Sequence, residues 1–143
     1  MDSVEVRLMS GATSTPRTEG ASAIVVAGDE ETRVLLRGLL RLHHYRVIGE
    51  AEGSTEGTEL LRTHPPSVMV VDAALAEGSF PVLIREARLL HPQMRVVLVT
   101  PTPVRPGDGT PKGSDGPDAT VTRPFRLADF LGALRGASGG LNQ

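Results

Sequence analysis

The chain has no cysteine, which excludes a disulfide framework and thiolate-ligated zinc. Aromatic residues are nearly absent too: there is no tryptophan, one tyrosine (Tyr45) and three phenylalanines (Phe80, Phe125, Phe130). Aliphatic side chains must therefore fill the core. Lys112 is the only lysine, and the other cations are arginine, a bias in keeping with a GC-rich genome. No basic stripe with interleaved aromatics appears, and 15 basic residues against 17 acidic ones leave a net charge of -2. Phosphate contacts need clustered cations, so this chain alone is not expected to bind nucleic acid. Long apolar runs are also missing, and the longest fall far short of a bilayer span. Residues 1–10 lack a basic stretch followed by an apolar block, so no secretory signal is read there. The expectation is a soluble cytoplasmic domain without membrane contact.

What is present is a repeating pattern. The 143 residues suffice for one compact domain with tails. Residues 1–21, rich in Ser, Thr and Gly, read as a disordered arm, although Val4, Val6 and Leu8 alternate as in a short strand. Apolar runs then recur at Ala23-Ile24-Val25-Val26-Ala27, Tyr45-Arg46-Val47-Ile48, Val68-Met69-Val70-Val71, Val96-Val97-Leu98-Val99 and Ala119-Thr120-Val121. Continuous β-branched runs are what strands buried on both faces of a parallel sheet require. Helical periods lie between them. Residues 30–43 put Leu36, Leu39, Leu40 and His43 on one stripe; Phe80, Leu83, Ile84 and Ala87 repeat at helical spacing, as do Leu127, Phe130, Leu131 and Leu134. Asp29 can cap the first of these helices, with Glu30 and Glu31 near its positive end; Ser79 can cap the helix that carries Pro81.

This alternation predicts an α/β fold, a doubly wound five-stranded parallel sheet of order 2-1-3-4-5. One crossover departs from it. Residues 101–118 hold five Pro and four Gly and almost no apolar side chain. Each interior Pro would cost a helix roughly 3 kcal/mol, so the fourth crossover helix is expected to be missing or replaced by a loop. The Gly- and Ser-rich end, residues 138–143, reads as the start of a linker.

Ligands of doubly wound sheets bind at the carboxyl ends of the strands. Asp72 follows the third strand, Thr100 ends the fourth, and Arg123-Pro124-Phe125 follows the fifth. With Arg33 and Leu36 in the first helix, and Gly49-Glu50-Ala51 after the second strand, residues 22–137 resemble the CheY-like receiver domain of bacterial response regulators, of the NarL/LuxR type. The resemblance implies that Asp72 stands at the phosphoryl acceptor position, that Thr100 and the residue at 123 contact the phosphate, and that Arg123-Pro124 is cis. Two acids at the end of the first strand would hold Mg2+ in such a domain. The matching positions are Ala27 and Gly28, neither with a side-chain oxygen, whereas Mg2+ demands oxygen ligands. The expected Lys is Arg123, and the position of the switch aromatic holds Thr120. The degenerate pocket is thus Asp72, Thr100, Arg123, Ala27, Gly28 and Asp29, with no catalytic residue, metal or cofactor expected. Asp29 and Glu30 either cap the first helix or stand in for the lost acids, and Arg123 is a candidate to pair with Asp72.

Three functions follow as expectations. The first is a regulatory and dimerisation domain of an orphan transcriptional regulator, acting without phosphorylation, with a C-terminal helix-turn-helix domain outside this chain contacting DNA. Leu35, Gly38 and Leu42 on the first helix, with Leu127 and Ala128 on the last, would form the interface with a second copy or another response regulator; these leucines would otherwise pack within the monomer. The second is a conventional receiver phosphorylated on Asp72, and the third a receiver that senses a small ligand. No enzyme is expected, because no Gly-rich phosphate loop follows the first strand and no nucleophile–base pair is evident. His43, His44 and His64 read as helix ends and loop, since adjacent histidines on a helix point about 100° apart and cannot easily share one ion.

Overall fold

A computed structural model describes residues 20–101 and 116–135. In chain order the elements are β1 (Ser22–Val26), α1 (Glu30–Leu42), β2 (Arg46–Ala51), α2 (Ser54–Thr63), β3 (Val68–Asp72), α3 (Phe80–Leu90), β4 (Arg95–Thr100), β5 (Ala119–Thr122) and α4 (Leu127–Arg135). All neighbouring strands pair in parallel, in the order β2-β1-β3-β4-β5. The predicted sheet and strand order are therefore observed. The order reverses between β1 and β3, which makes the carboxyl ends of those two strands the switch-point crevice.

The apolar runs are continuous because β1, β3 and most of β4 are buried on both faces. Alternate side chains divide between two cores. Val25, Val70, Val99 and Val121 pack with Leu36 and Leu40 of α1 and with Phe130 and Leu134 of α4. Val26, Met69, Val71 and Leu98 pack with Leu61 of α2 and with Leu83, Ile84 and Ala87 of α3. On β5 the second face continues as Thr120 and Thr122, which lie in register with Leu98 and Thr100.

Local signals explain most boundaries. Asp29 caps α1 by accepting from the Thr32 amide at 3.0 Å, with Glu30 and Glu31 in the first turn. Ser79 holds the N-cap position of α3, with Pro81 in its first turn, but its side chain makes no capping bond. His43 and His64 follow α1 and α2 as C-cap residues.

One boundary needs correction. Gly49-Glu50-Ala51 does not follow the second strand but belongs to it. Glu50 interrupts the apolar run, yet β2 is an edge strand, and Glu50 pairs with Arg37 of α1 at 2.8 Å. Helix α2 was not marked by its own pattern, since Leu61 is its only large buried side chain.

The chain enters β5 along Arg88 of α3. Its guanidinium donates to the Met94 and Gly116 carbonyls and to Asp118 Oδ2, at 2.7–3.2 Å. Asp118 Oδ2 also accepts from the Val96 amide at 2.7 Å. The loop expected over most of 101–118, the N-terminal arm and the linker lie outside the described residues.

Candidate functional site

The crevice gathers the residues that the sequence singled out. Asp72 is the last residue of β3 and is only 1% exposed; Thr100, at the end of β4, is also buried. After β5 the Arg123 amide donates to the Thr100 carbonyl at 2.8 Å, and the Arg123-Pro124 bond is cis. These backbone contacts carry the Arg123 side chain over the pocket, where its Nη2 lies 3.1 Å from Asp72 Oδ1. The other carboxylate oxygen accepts from the Ala74 amide at 3.0 Å.

The Asp72–Arg123 contact is an ion pair without hydrogen-bond alignment: among the described residues, nothing donates a hydrogen bond to Oδ1 or accepts one from Arg123 Nε. Among the described residues, Arg123 Nη1 also lies 3.5 Å from Thr32 Oγ1. Burial accordingly pushes the Asp72 carboxyl above the usual range; the Ala74 amide and Arg123 oppose that rise, and the nearby Asp29 adds to it.

Mg2+, which the receiver resemblance implies, does not fit what stands beside Asp72. Ala27 has a methyl side chain and its carbonyl accepts from Arg33 Nη1 at 2.7 Å. The Gly28 amide donates to the Ala74 carbonyl at 2.9 Å. A Cβ at Gly28 would lie 2.7 Å from the Ala76 nitrogen, 2.9 Å from the Leu75 carbonyl carbon and 3.0 Å from the Ala74 oxygen. Asp29 caps α1, its Oδ2 accepting from the Thr32 amide and hydroxyl at 3.0 and 3.1 Å. No group of three or more His, Asp or Glu residues suited to a metal occurs among the described residues.

Across the module, α1 and α4 present apolar side chains outward. Leu35, Leu42 and Leu127 are 50%, 67% and 43% exposed. Gly38 and Ala128 are exposed beside them. Between the helices lies a groove of about 640 Å³ lined by Leu35, Leu39, Pro101, Arg123, Pro124, Phe125 and Leu127. Arg123 therefore belongs to both regions.

Glu77 escaped the sequence reading. It reaches across from the β3–α3 loop to the Thr55 amide, at 2.7 Å, and no local pattern signals a cap 22 residues away.

No protein-family model and no curated protein matches this sequence. Solved structures do. The receiver domain of an HD domain-containing protein from Pseudomonas fluorescens Pf-5 superposes with a TM-score of 0.73 at 20% identity, over 84% of this chain and 95% of that one. The receiver domain of the response regulator NarL from Mycobacterium tuberculosis gives 0.70 at 18% identity, over 86% and 99%. A mutant of the anti-anti-sigma factor PhyR from Bartonella quintana gives 0.68 at 18% identity over 82% of this chain, and this chain spans about half its length, 48%. Identities this low speak to architecture. The chain has the CheY-like receiver fold, with Asp72, Thr100 and Arg123 gathered at the carboxyl ends of its strands.

Proposed function

We propose that this chain is the regulatory and dimerisation domain of a DNA-binding response regulator of the NarL/LuxR type, cytoplasmic, acting without phosphorylation of Asp72 and without catalysis of its own. One observation carries the reading: Asp72 is buried against Arg123, and the neighbouring positions of the metal acids are Ala27 and Gly28. Phosphoryl transfer to a carboxylate depends on a metal to neutralise the charge that moves with the phosphoryl group. A fixed Arg123–Asp72 pair supplies a constant charge arrangement in place of a switch.

Dimerisation is supported by the outer face of α1. A glycine inside a helix costs about 1 kcal/mol relative to alanine. Gly38 is exposed, and its Cβ position has no described neighbour within 4 Å, so packing within the monomer does not require it. With Leu35 and Leu42 on either side it makes a surface suited to a partner helix. The partner is a second copy or a related response regulator, and DNA contact falls to a C-terminal helix-turn-helix domain outside this chain. Sedimentation velocity of Leu42→Glu tests the interface. The expected result is a dimer for the parent and at least tenfold weaker association for the variant; identical profiles refute it.

A second reading, sensing of a small ligand, is favoured by the groove between α1 and α4, whose volume of about 640 Å³ falls in the range of ligand pockets. Thermal-shift screening with metabolites tests it. A ligand whose effect is lost in Leu39→Arg supports this reading, and a protein unresponsive to every candidate counts against it.

A further inference from the structure

We propose that the β3–α3 loop is a built-in plug of the old metal pocket: its backbone fills the place of the lost carboxylates and Glu77 clamps it there, so that restoring the acids does not restore metal binding. This rests on the phosphorylation-independent reading and goes further, because it assigns closure to the loop and not only to missing side chains.

The loop is tied to three strand ends through its backbone. The Gly28 amide after β1 donates to the Ala74 carbonyl at 2.9 Å, the Ala76 amide donates to the Glu52 carbonyl after β2 at 2.7 Å, and the Ala73 amide donates to the Val99 carbonyl of β4 at 2.8 Å. Further along, the Ser54 amide donates to the Glu77 carbonyl at 3.1 Å. The Glu77 carboxylate then takes over the start of α2, whose own N-cap residue, Gly53, has no side chain to offer. Oε2 accepts from the Thr55 amide at 2.7 Å, and Oε1 lies 3.2 Å from the Thr55 hydroxyl and 3.5 Å from that of Ser54. A carboxylate is favourable there, at the positive end of the helix dipole.

Three glycines fit this closure. A Cβ at Gly28 meets loop backbone at 2.7 Å, and one at Gly53 meets the Glu77 side chain at 2.7 Å. Gly78 has φ +74°, and a Cβ on it would collide with the Ser54 side chain. Gly28 differs from the other two because backbone cannot swing aside as a side chain can. An aspartate there must displace the loop before its carboxylate reaches the pocket. Gly28 is thus a steric requirement of the plug as well as a lost ligand.

The test uses the full chain with Gly28→Ala, Glu77→Ala and the double substitution Ala27→Asp/Gly28→Asp, melted with and without millimolar Mg2+ and beryllofluoride. The expected results are a Tm lowered by about 5 °C or more in Gly28→Ala, and no stabilisation of the double variant by Mg2+. In Glu77→Ala the Gly28 amide should exchange its hydrogen at least tenfold faster. A Gly28→Ala protein as stable as the parent, unchanged exchange in Glu77→Ala, or Mg2+-dependent stabilisation of the double variant with Glu77 intact would each overturn the plug. If the double variant does not fold, the two single substitutions still decide. Failure of the broader reading looks different: the unmodified chain would itself become phosphorylated on Asp72.

Discussion

Asp72 and Leu42 stand at opposite extremes of this molecule: the first is a charged residue 1% exposed, the second an apolar residue 67% exposed. Each is unfavourable for an isolated monomer, the one through desolvation and the other through apolar surface left in water. In the crevice, the cost is contained within the chain. Arg123, the Ala74 amide and the loop around Gly28 all converge there. On the outer face of α1 no comparable compensation exists among the described residues, and the exposed stripe asks for something from outside. The two regions differ in where compensation comes from: the crevice holds it within the chain, and the proposed dimer face would take it from a partner.

The sharpest way to break that contrast is to strip the crevice of its cation. Arg123→Ala leaves a buried carboxylate without its counter-charge; because Arg123 is partly exposed, the expected loss at pH 7 is about 1–2 kcal/mol rather than the larger penalty of a fully buried pair. Adding Asp72→Asn to that variant should recover most of it in urea unfolding, and additive losses would deny the coupling. Next in size is Glu77→Ala, which removes the cap of α2 and should cost about 1 kcal/mol, read as a lower midpoint at unchanged slope.

Asp72→Asn alone should stabilise the protein slightly at neutral pH. With the native carboxyl raised above its unfolded value, the native state holds its proton longer. Stability from Asp72 is then fully present below the unfolded pKa and is lost as pH rises through the folded one. Melting curves from pH 4 upward should show that loss in the parent and not in the variant; a parent that gains stability over the same interval through Asp72 would reverse the sign. The smallest effect belongs to the other region. Leu42→Glu should leave the unfolding free energy of the monomer within about 0.5 kcal/mol, and a larger loss would mean that Leu42 packs inside the chain.

Much of this was readable from the sequence. β1, β3 and β4 announce themselves because central strands of a parallel sheet are apolar throughout, and Asp29 because a cap lies three residues from the amide it serves. Asp72, Thr100 and Arg123 were placed by their positions at strand ends, and their convergence follows from the strand order. Helix α2 was silent because its cap is borrowed from Glu77. Glu50 misled the boundary of β2 because one face of an edge strand tolerates an ion pair with a neighbouring helix. The closing of the pocket was illegible for a simpler reason: it is made by the amides and carbonyls of Gly28, Ala73, Ala74 and Ala76, which look the same in every residue type.

Intact-mass spectrometry of the chain incubated with acetyl phosphate and Mg2+ tests the central claim most directly. An unchanged mass is predicted. Addition of one phosphoryl group, absent from Asp72→Asn treated in the same way, would contradict it.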